Sequence, residues 1–464
     1  MKSRLDRLDR VALGAIAGLA ALIGFLILRG DQVGVQIARN TPQPGAESVA
    51  TRARISLTFS EAMDPPTLDG RVQLNPPVSG TLSWNGATAY FAPLHALKPD
   101  TLYTVTVRAG ASSARGRPML RDASWTFRTG HPRVVFLAPA LETGDLYVAE
   151  IDLGSEPRRI TSEPYGVYDF AVSPDGTRIA YSANRDESGQ RDLWIVDADG
   201  ANRAPLVACD DQVCQSPSWS ADGARVAFER RTFVQSAVGR SPGPSRVWLI
   251  DAISKATEPL FGDSQKLGTL PRWAPVSDKL SYYDPLENAV TIVDTAAGGQ
   301  LLLPSLLGDS GTWAPDATQL IYPELEAVED GQYSQMLRAD LALNAITPVM
   351  GLTPTNDSSP TWSPWGALIA FGRQQMVRPR SGAAVAFGPQ VWVSTPEGAN
   401  ARSLTAELEY SYGGLSWSPD EKWIAAVRNN LRIPNPKPEV WLIRSDGSEQ
   451  RLLATDATIP AWMP

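Results

Sequence analysis

The feature that most restricts what this chain folds into is a repeat. From residue 131 onward a unit of about 49 residues recurs. Its first half reads FAVSPDGTRIAYS from Phe170, PSWSADGARVAFE from Pro217, PRWAPVSDKLSYY from Pro271, GTWAPDATQLIYP from Gly311, PTWSPWGALIAFG from Pro360 and LSWSPDEKWIAAV from Leu415. Each copy is a hairpin: Pro174 pre-sets the φ angle of the second residue of a type I turn, and Gly176 suits its fourth. The aromatic before the turn (Phe170, Trp219, Trp273, Trp313, Trp362 or Trp417) and the apolar alternation after it are expected to pack between neighbouring units. The second half is another hairpin, from DLWIVDADGANRAPL at Asp192 to EVWLIRSDGSEQRLL at Glu439. Four short strands per unit describe the blade of a β-propeller.

The motifs resemble those of the TolB-type (WD40-like) propeller, in which a W-S-P-D-G hairpin precedes an apolar-Trp-apolar strand, a D-x-D-G turn and a leucine-rich strand. The third and fourth copies, WAPVSDK and WAPDATQ, depart from it by losing the turn glycine. RVVFLAP from Arg133 and DLYVAEIDLGSEPRRIT from Asp145 supply three strands of a blade without its first, and TIPAWMP at the C-terminus supplies a first strand with nothing after it. Pairing these ends makes a composite blade, closes the ring and hides the sheet edges. The count is then seven, with six, as in the TolB family proper, as the alternative.

Residues 35–130 give short alternating runs separated by turn residues, the pattern of a β-sandwich. Ile55, Leu57 and Phe59 point inward, as do Tyr103, Val105 and Val107, then Trp125 and Phe127. ISLTFSEAMDP, ATAYFAP, LKPDTLYTVTV and SWTFRTG, in that order, resemble the bacterial Ig-like domain of surface-layer and adhesin proteins. The resemblance implies a spacer or adhesive module without catalysis.

Residues 11–28, VALGAIAGLAALIGFLIL, hold 18 residues without a charge. As a helix this run rises roughly 27 Å, close to the hydrocarbon thickness of a bilayer. Lys2, Arg4, Arg7 and Arg10 outweigh Asp6 and Asp9, so residues 1–10 should stay in the cytoplasm and the rest be exported. No A-x-A-like cleavage site follows. The expectation is an uncleaved single-pass anchor in the cell membrane, with the bulk of the chain extracytoplasmic, periplasmic or extracellular.

Formal net charge is −8, and residues 131–464 carry 27 basic against 41 acidic side chains. That balance argues against a nucleic-acid partner. Cys209 and Cys214 are the only cysteines; with His95 and His131 far away, a local disulfide in an oxidising compartment is favoured over a zinc site or a Cys/His pair. Gly308 to Gly311 spell GDSG, but no histidine follows His131 to act as base. DADG at Asp197 reads as a turn rather than a calcium loop. No cofactor, metal or catalytic set is expected. The segments entering the inner strands lie on one face around the channel and carry Tyr165, Tyr168, Asp169, Asp357, Tyr410 and Tyr412, an aromatic and acidic set suited to a protein, peptide or glycan. The predicted protein is therefore an all-β, membrane-anchored binding or scaffold protein of the cell envelope and not an enzyme. The alternative is a carbohydrate-active hydrolase with paired carboxylates in the channel.

Overall fold

The computed structural model describes residues 34–463 except 52, 95–96, 142, 152–153, 155, 237–238, 329–330, 351–354 and 378–384, together with Ile16 and Leu19. The predicted anchor at 11–28 otherwise lies outside the described residues. Among those described, no helix is long and apolar enough to cross a membrane. From residue 34 the chain is β-structure apart from a 3-10 turn at Pro65–Leu68, and it forms two compact units.

The described residues of 37–129 form two four-stranded sheets. One runs in the order Ile37–Thr41, Ile55–Phe59, Thr88–Pro93, Gly80–Asn85, the other Ala46–Val49, Ala123–Thr129, Leu102–Val107, Val72–Asn75. The alternation predicted for the core is present: Ile55, Leu57 and Phe59 are buried while Ser56 and Thr58 between them are not. Trp125 is buried as well, and its indole donates to Pro42 O at 3.0 Å, satisfying the ring's one polar atom.

The second unit contains seven antiparallel sheets of four principal strands among the described residues. Blades one to six span 167–207, 212–259, 269–304, 312–348, 355–403 and 410–455. The first two share a single parallel bridge between Arg191 and Val213. The seventh is the composite: Thr458–Met463 pairs with Arg133–Ala138, which pairs with Asp145–Glu150 and, beyond it, Arg158–Arg159. Six blades bury a large aromatic on their second strand (Phe136, Tyr181, Phe228, Tyr282, Tyr322 and Phe371); the sixth blade has Ala426 there. These residues fill the wedges between neighbouring sheets.

The tryptophans set the order of the ring. The Nε1 of Trp219 donates to Ala171 O at 3.1 Å, Trp313 to Arg272 O at 3.1 Å, Trp362 to Thr312 O at 3.2 Å, Trp417 to Thr361 O at 3.3 Å and Trp462 to Ser416 O at 3.0 Å. Each indole thus reaches the inner strand of the preceding blade. Trp273 makes the equivalent joint through its backbone N, which donates to Ser218 Oγ at 3.0 Å. In the first blade Val172, opposite Ile179, holds the register position of the tryptophans and offers no indole; Phe170 and Val172 pack in one cluster with Ala461 and Met463.

Hairpin turns follow the expected chemistry. Gly176 N donates to Ser173 O at 2.8 Å, while Ser173 Oγ donates to Asp175 Oδ1 at 2.6 Å and accepts from Arg178 N. In the fourth copy Ala317 adopts the left-handed conformation that glycine takes in the first, with φ 59°. The GDSG string forms a loop in which Asp309 Oδ1 accepts from Gly311 N at 2.8 Å and buried Ser310 Oγ accepts from Arg272 Nε at 3.1 Å. DADG is the turn before the fourth strand of blade one.

Cys209 and Cys214 are joined in a disulfide. Both sulfurs lie in the core between blades one and two with Leu193, Leu206, Val226 and Phe228. Loop-closure entropy for so short a ring is about 2 kcal/mol. Replacing both cysteines by alanine is expected to lower stability by that order. Unreduced, denatured protein should give no thiol labelling; labelling of both cysteines would remove the bond.

Candidate functional site

In an antiparallel blade the segment entering the first strand and the loop between strands two and three emerge at the same end. These segments therefore gather on one face of the ring, here the loop face. Six inner strands are bulged as they approach it, with register shifts at Val167/Asp169, Gln215/Ser218, Thr269/Arg272, Ser358/Thr361, Gly413/Ser416 and Thr458/Ala461. In five of them the bulge opens with a left-handed residue three positions before the tryptophan: Ser216 (φ 55°), Leu270 (52°), Ser359 (51°), Gly414 (58°) and Ile459 (50°). A bulge turns a side chain out of the ladder. Tyr168, Leu270 and Ile459 are exposed for that reason.

The six residues predicted for this face divide. Tyr165 and Tyr168 are exposed on the first blade, and the guanidinium of Arg191 lies 3.5 Å from the centre of the Tyr168 ring. Tyr410 is half-buried, with Arg428 4.0 Å from its ring centre. Tyr412 and Asp357 correct the expectation. Tyr412 is 2% exposed and its hydroxyl donates to Glu407 Oε2 at 3.0 Å. Asp357 is buried and accepts from Arg373 Nε and a terminal nitrogen, each at 2.7 Å. Both belong to strands, where they lie opposite arginines: Tyr412 pairs with Arg428 and Asp357 with Arg373. They hold the sheet and are withheld from any ligand at the face.

Asp169 sits between blades one and two, accepting from the Ser182 hydroxyl and from Ser216 N at 2.7 Å. Burial pushes its carboxyl up to about 6, against the opposing pull of those two hydrogen bonds. The native state therefore holds a proton that the unfolded chain, titrating near 3.9, has already released. Stability contributed by this group is present at low pH and is lost as pH rises from about 4 to 6. Asp169→Asn, which keeps an acceptor for Ser216, should match the parent near pH 4 and exceed it by up to about 3 kcal/mol at pH 8. Melting curves at the two pH values test this, and a pH-independent difference would overturn it.

Sequence reasoning missed the polar residues that tie the loop face to the sheets. Asp145 Oδ1 accepts from Glu163 N at 2.9 Å, and Asp192 Oδ1 from Cys209 N at 2.7 Å. Gln390 Nε2 donates to Glu407 O at 3.2 Å and Tyr410 O at 3.0 Å. The signal was a polar residue near the start of each third strand, ahead of the apolar-Trp-apolar run. Buried Glu163 reinforces the first blade, taking two bonds from the exposed Arg203 and one from the Tyr181 hydroxyl, all at 2.8 Å.

Fold and face together describe an all-β protein in which a small sandwich precedes a seven-bladed propeller with one loop-rich, partly apolar face. Residues 31–129 match the family of bacterial Ig-like domains. No curated protein matches the chain. Among solved structures it is similar to TolB from Acinetobacter baumannii, at 15% identity and a TM-score of 0.41 over 83% of this chain and 82% of that one. It is also similar to the β-propeller domain of the Trilobed protease from Pyrococcus furiosus, at 8% identity and a TM-score of 0.47 over 77% and 93%. A prolyl endopeptidase structure matches at 13% identity and a TM-score of 0.47, over 84% of this chain and half of that one. The assignment of blades rests on the strand order given above.

Proposed function

We propose that the protein is a membrane-anchored, extracytoplasmic scaffold of the cell envelope that binds a macromolecular partner through the loop face of its propeller. The observation that carries this reading is the exposure of large apolar side chains on that face, among them Tyr165, Tyr168, Leu286, Leu306, Leu408 and Leu431. Exposed apolar groups clustered on a domain surface mark an interaction surface; the opposite face exposes fewer, Ile253, Val276, Leu343 and Trp365. The Ig-like domain suits a spacer role. The disulfide suits an oxidising compartment, and residues 11–28 suit an anchor. The hydrolase alternative draws no support from Asp357, whose carboxylate is consumed by Arg373.

Fractionation tests the anchor. The mature protein is expected to retain residues 1–28 and to sediment with membranes after a high-salt wash. A soluble mature form beginning near residue 30 to 40 would overturn it.

A further inference from the structure

The third and fourth blades present a continuous arc on the loop face. Leu286, in the turn after Lys279–Asp284, is 63% exposed, and Leu306, on the loop after Gln300–Pro304, is 64% exposed. These are not free loop tips. Ser305 N donates to Asn288 O at 2.9 Å, tying the two loops together. Leu306 N donates to Glu324 Oε2 at 3.0 Å, tying the second loop to the long hairpin of blade four. Leu286 N is held by Asp284 Oδ1 at 2.9 Å. Gly308 lies against Tyr283, close enough that an added Cβ would stand 3.8 Å from the ring. The leucines are thus displayed on a fixed platform, which spares a partner the entropy of ordering it.

Charge singles out this arc. The described residues of 284–288, 305–311 and 323–334 include five acidic residues and no lysine or arginine, whereas those of 229–246, on the hairpin of blade two, include four arginines and one glutamate. Arg272 reaches the arc from the channel side, where it is held by Ser310. The Tyr283 hydroxyl is pushed up by partial burial and by the charges of Glu324 and Asp284. Aliphatic leucines set among carboxylates offer little to a sugar, whose recognition uses aromatic faces and polar pairs, and they repel an anionic surface. They match apolar side chains alternating with lysine or arginine, because apolar contact supplies affinity while opposite charge sets encounter and register. We infer that this arc, with Leu286, Leu306, Leu307, Glu287, Glu324 and Glu326 at its surface, docks a basic amphipathic segment of another envelope protein. The inference rests on the proposed binding role of the loop face and places it on blades three and four rather than at Tyr165 and Tyr168.

The test is photo-crosslinking of the full-length chain in its native membranes. A photoreactive phenylalanine analogue is placed at Leu306, at Tyr168 across the ring, or at Leu343 on the opposite face, and adducts are mapped by mass spectrometry. The expected result is an adduct from position 306 whose partner peptide carries lysine or arginine among apolar residues. Its yield should fall at least tenfold when Leu286→Ser and Glu287→Lys are added, with unchanged melting. An adduct from 306 to an acidic or uncharged segment, or one that survives those substitutions, would overturn the inference. Adducts from 168 and none from 306 would overturn it and leave the binding role standing. Absence of adducts at all three positions would overturn both.

Discussion

Deleting Thr458–Met463 is expected to unfold the propeller, although these residues look like a tail in the sequence. The segment is the inner strand of the composite blade, and its two faces serve different neighbours. Trp462 packs in one cluster with Trp423, Val440 and Leu442 of blade six, and Met463 in another with Ile179 and Tyr181 of blade one. Truncating a buried tryptophan alone costs about 3–5 kcal/mol, a large share of the 5–15 kcal/mol typical of a domain. The deletion also leaves the edge of Arg133–Ala138 unpaired. Thermal unfolding of the deletion should show a much lower midpoint or aggregation, with Trp462→Ala intermediate. An unchanged midpoint would refute the closure and the seven-blade count with it.

A comparably large loss is expected from Asp357→Ala. The side chains of Asp357 and Arg373 are 4% and 10% exposed, and the guanidinium is confined between Phe371 and Trp392, 5.3 Å from each ring centre. Removing the carboxylate strands a buried cation, at a cost of about 3–5 kcal/mol. Removing both charges, as Asp357→Leu with Arg373→Met, should recover most of that, because a buried pair is often replaced by apolar groups at little cost. Denaturant midpoints at constant slope measure each step. A single substitution costing under about 1 kcal/mol, or a double one no better than the single, would show that the pair does not hold blade five.

Much of this architecture was legible because it depends on period and on aromatic size. The alternation of Ile55, Leu57 and Phe59, the recurrent tryptophan and the orphan strand at the C-terminus are patterns that a two-residue side-chain period writes directly into a sequence. The misplacement of Asp357 and Tyr412 has a physical cause. Ser359-Pro360 and Gly413-Gly414 read as breaks, so the residues before them read as loop. The chain instead passes each break with a bulge and keeps pairing, and the strands Thr355–Trp362 and Tyr410–Trp417 begin well before it. Nothing in a leucine or an isoleucine announces the left-handed backbone taken by Leu270 and Ile459, since that conformation is imposed by the ring rather than favoured by the residue. The acidic arc was equally hidden, because strands separate its three segments in the chain and they meet only once the third and fourth blades are stacked.

The tryptophan joints give the ring a sense of direction. Each blade after the first grips the one before it through a polar bond from its own tryptophan, so the seven sheets form a chain of one-way couplings with a single odd link. That link, where Phe170 and Val172 pack with Ala461 and Met463, lacks the indole bond between inner strands and is joined instead by apolar contact and by bonds from Val167 N to Gly144 O at 2.7 Å and from Arg158 to Asp199 O at 2.6 Å. The sense of direction is thus carried by the inner strands, and it is interrupted at the one place where the chain itself runs directly from the seventh blade, at Arg158–Arg159, into the first, at Val167–Val172.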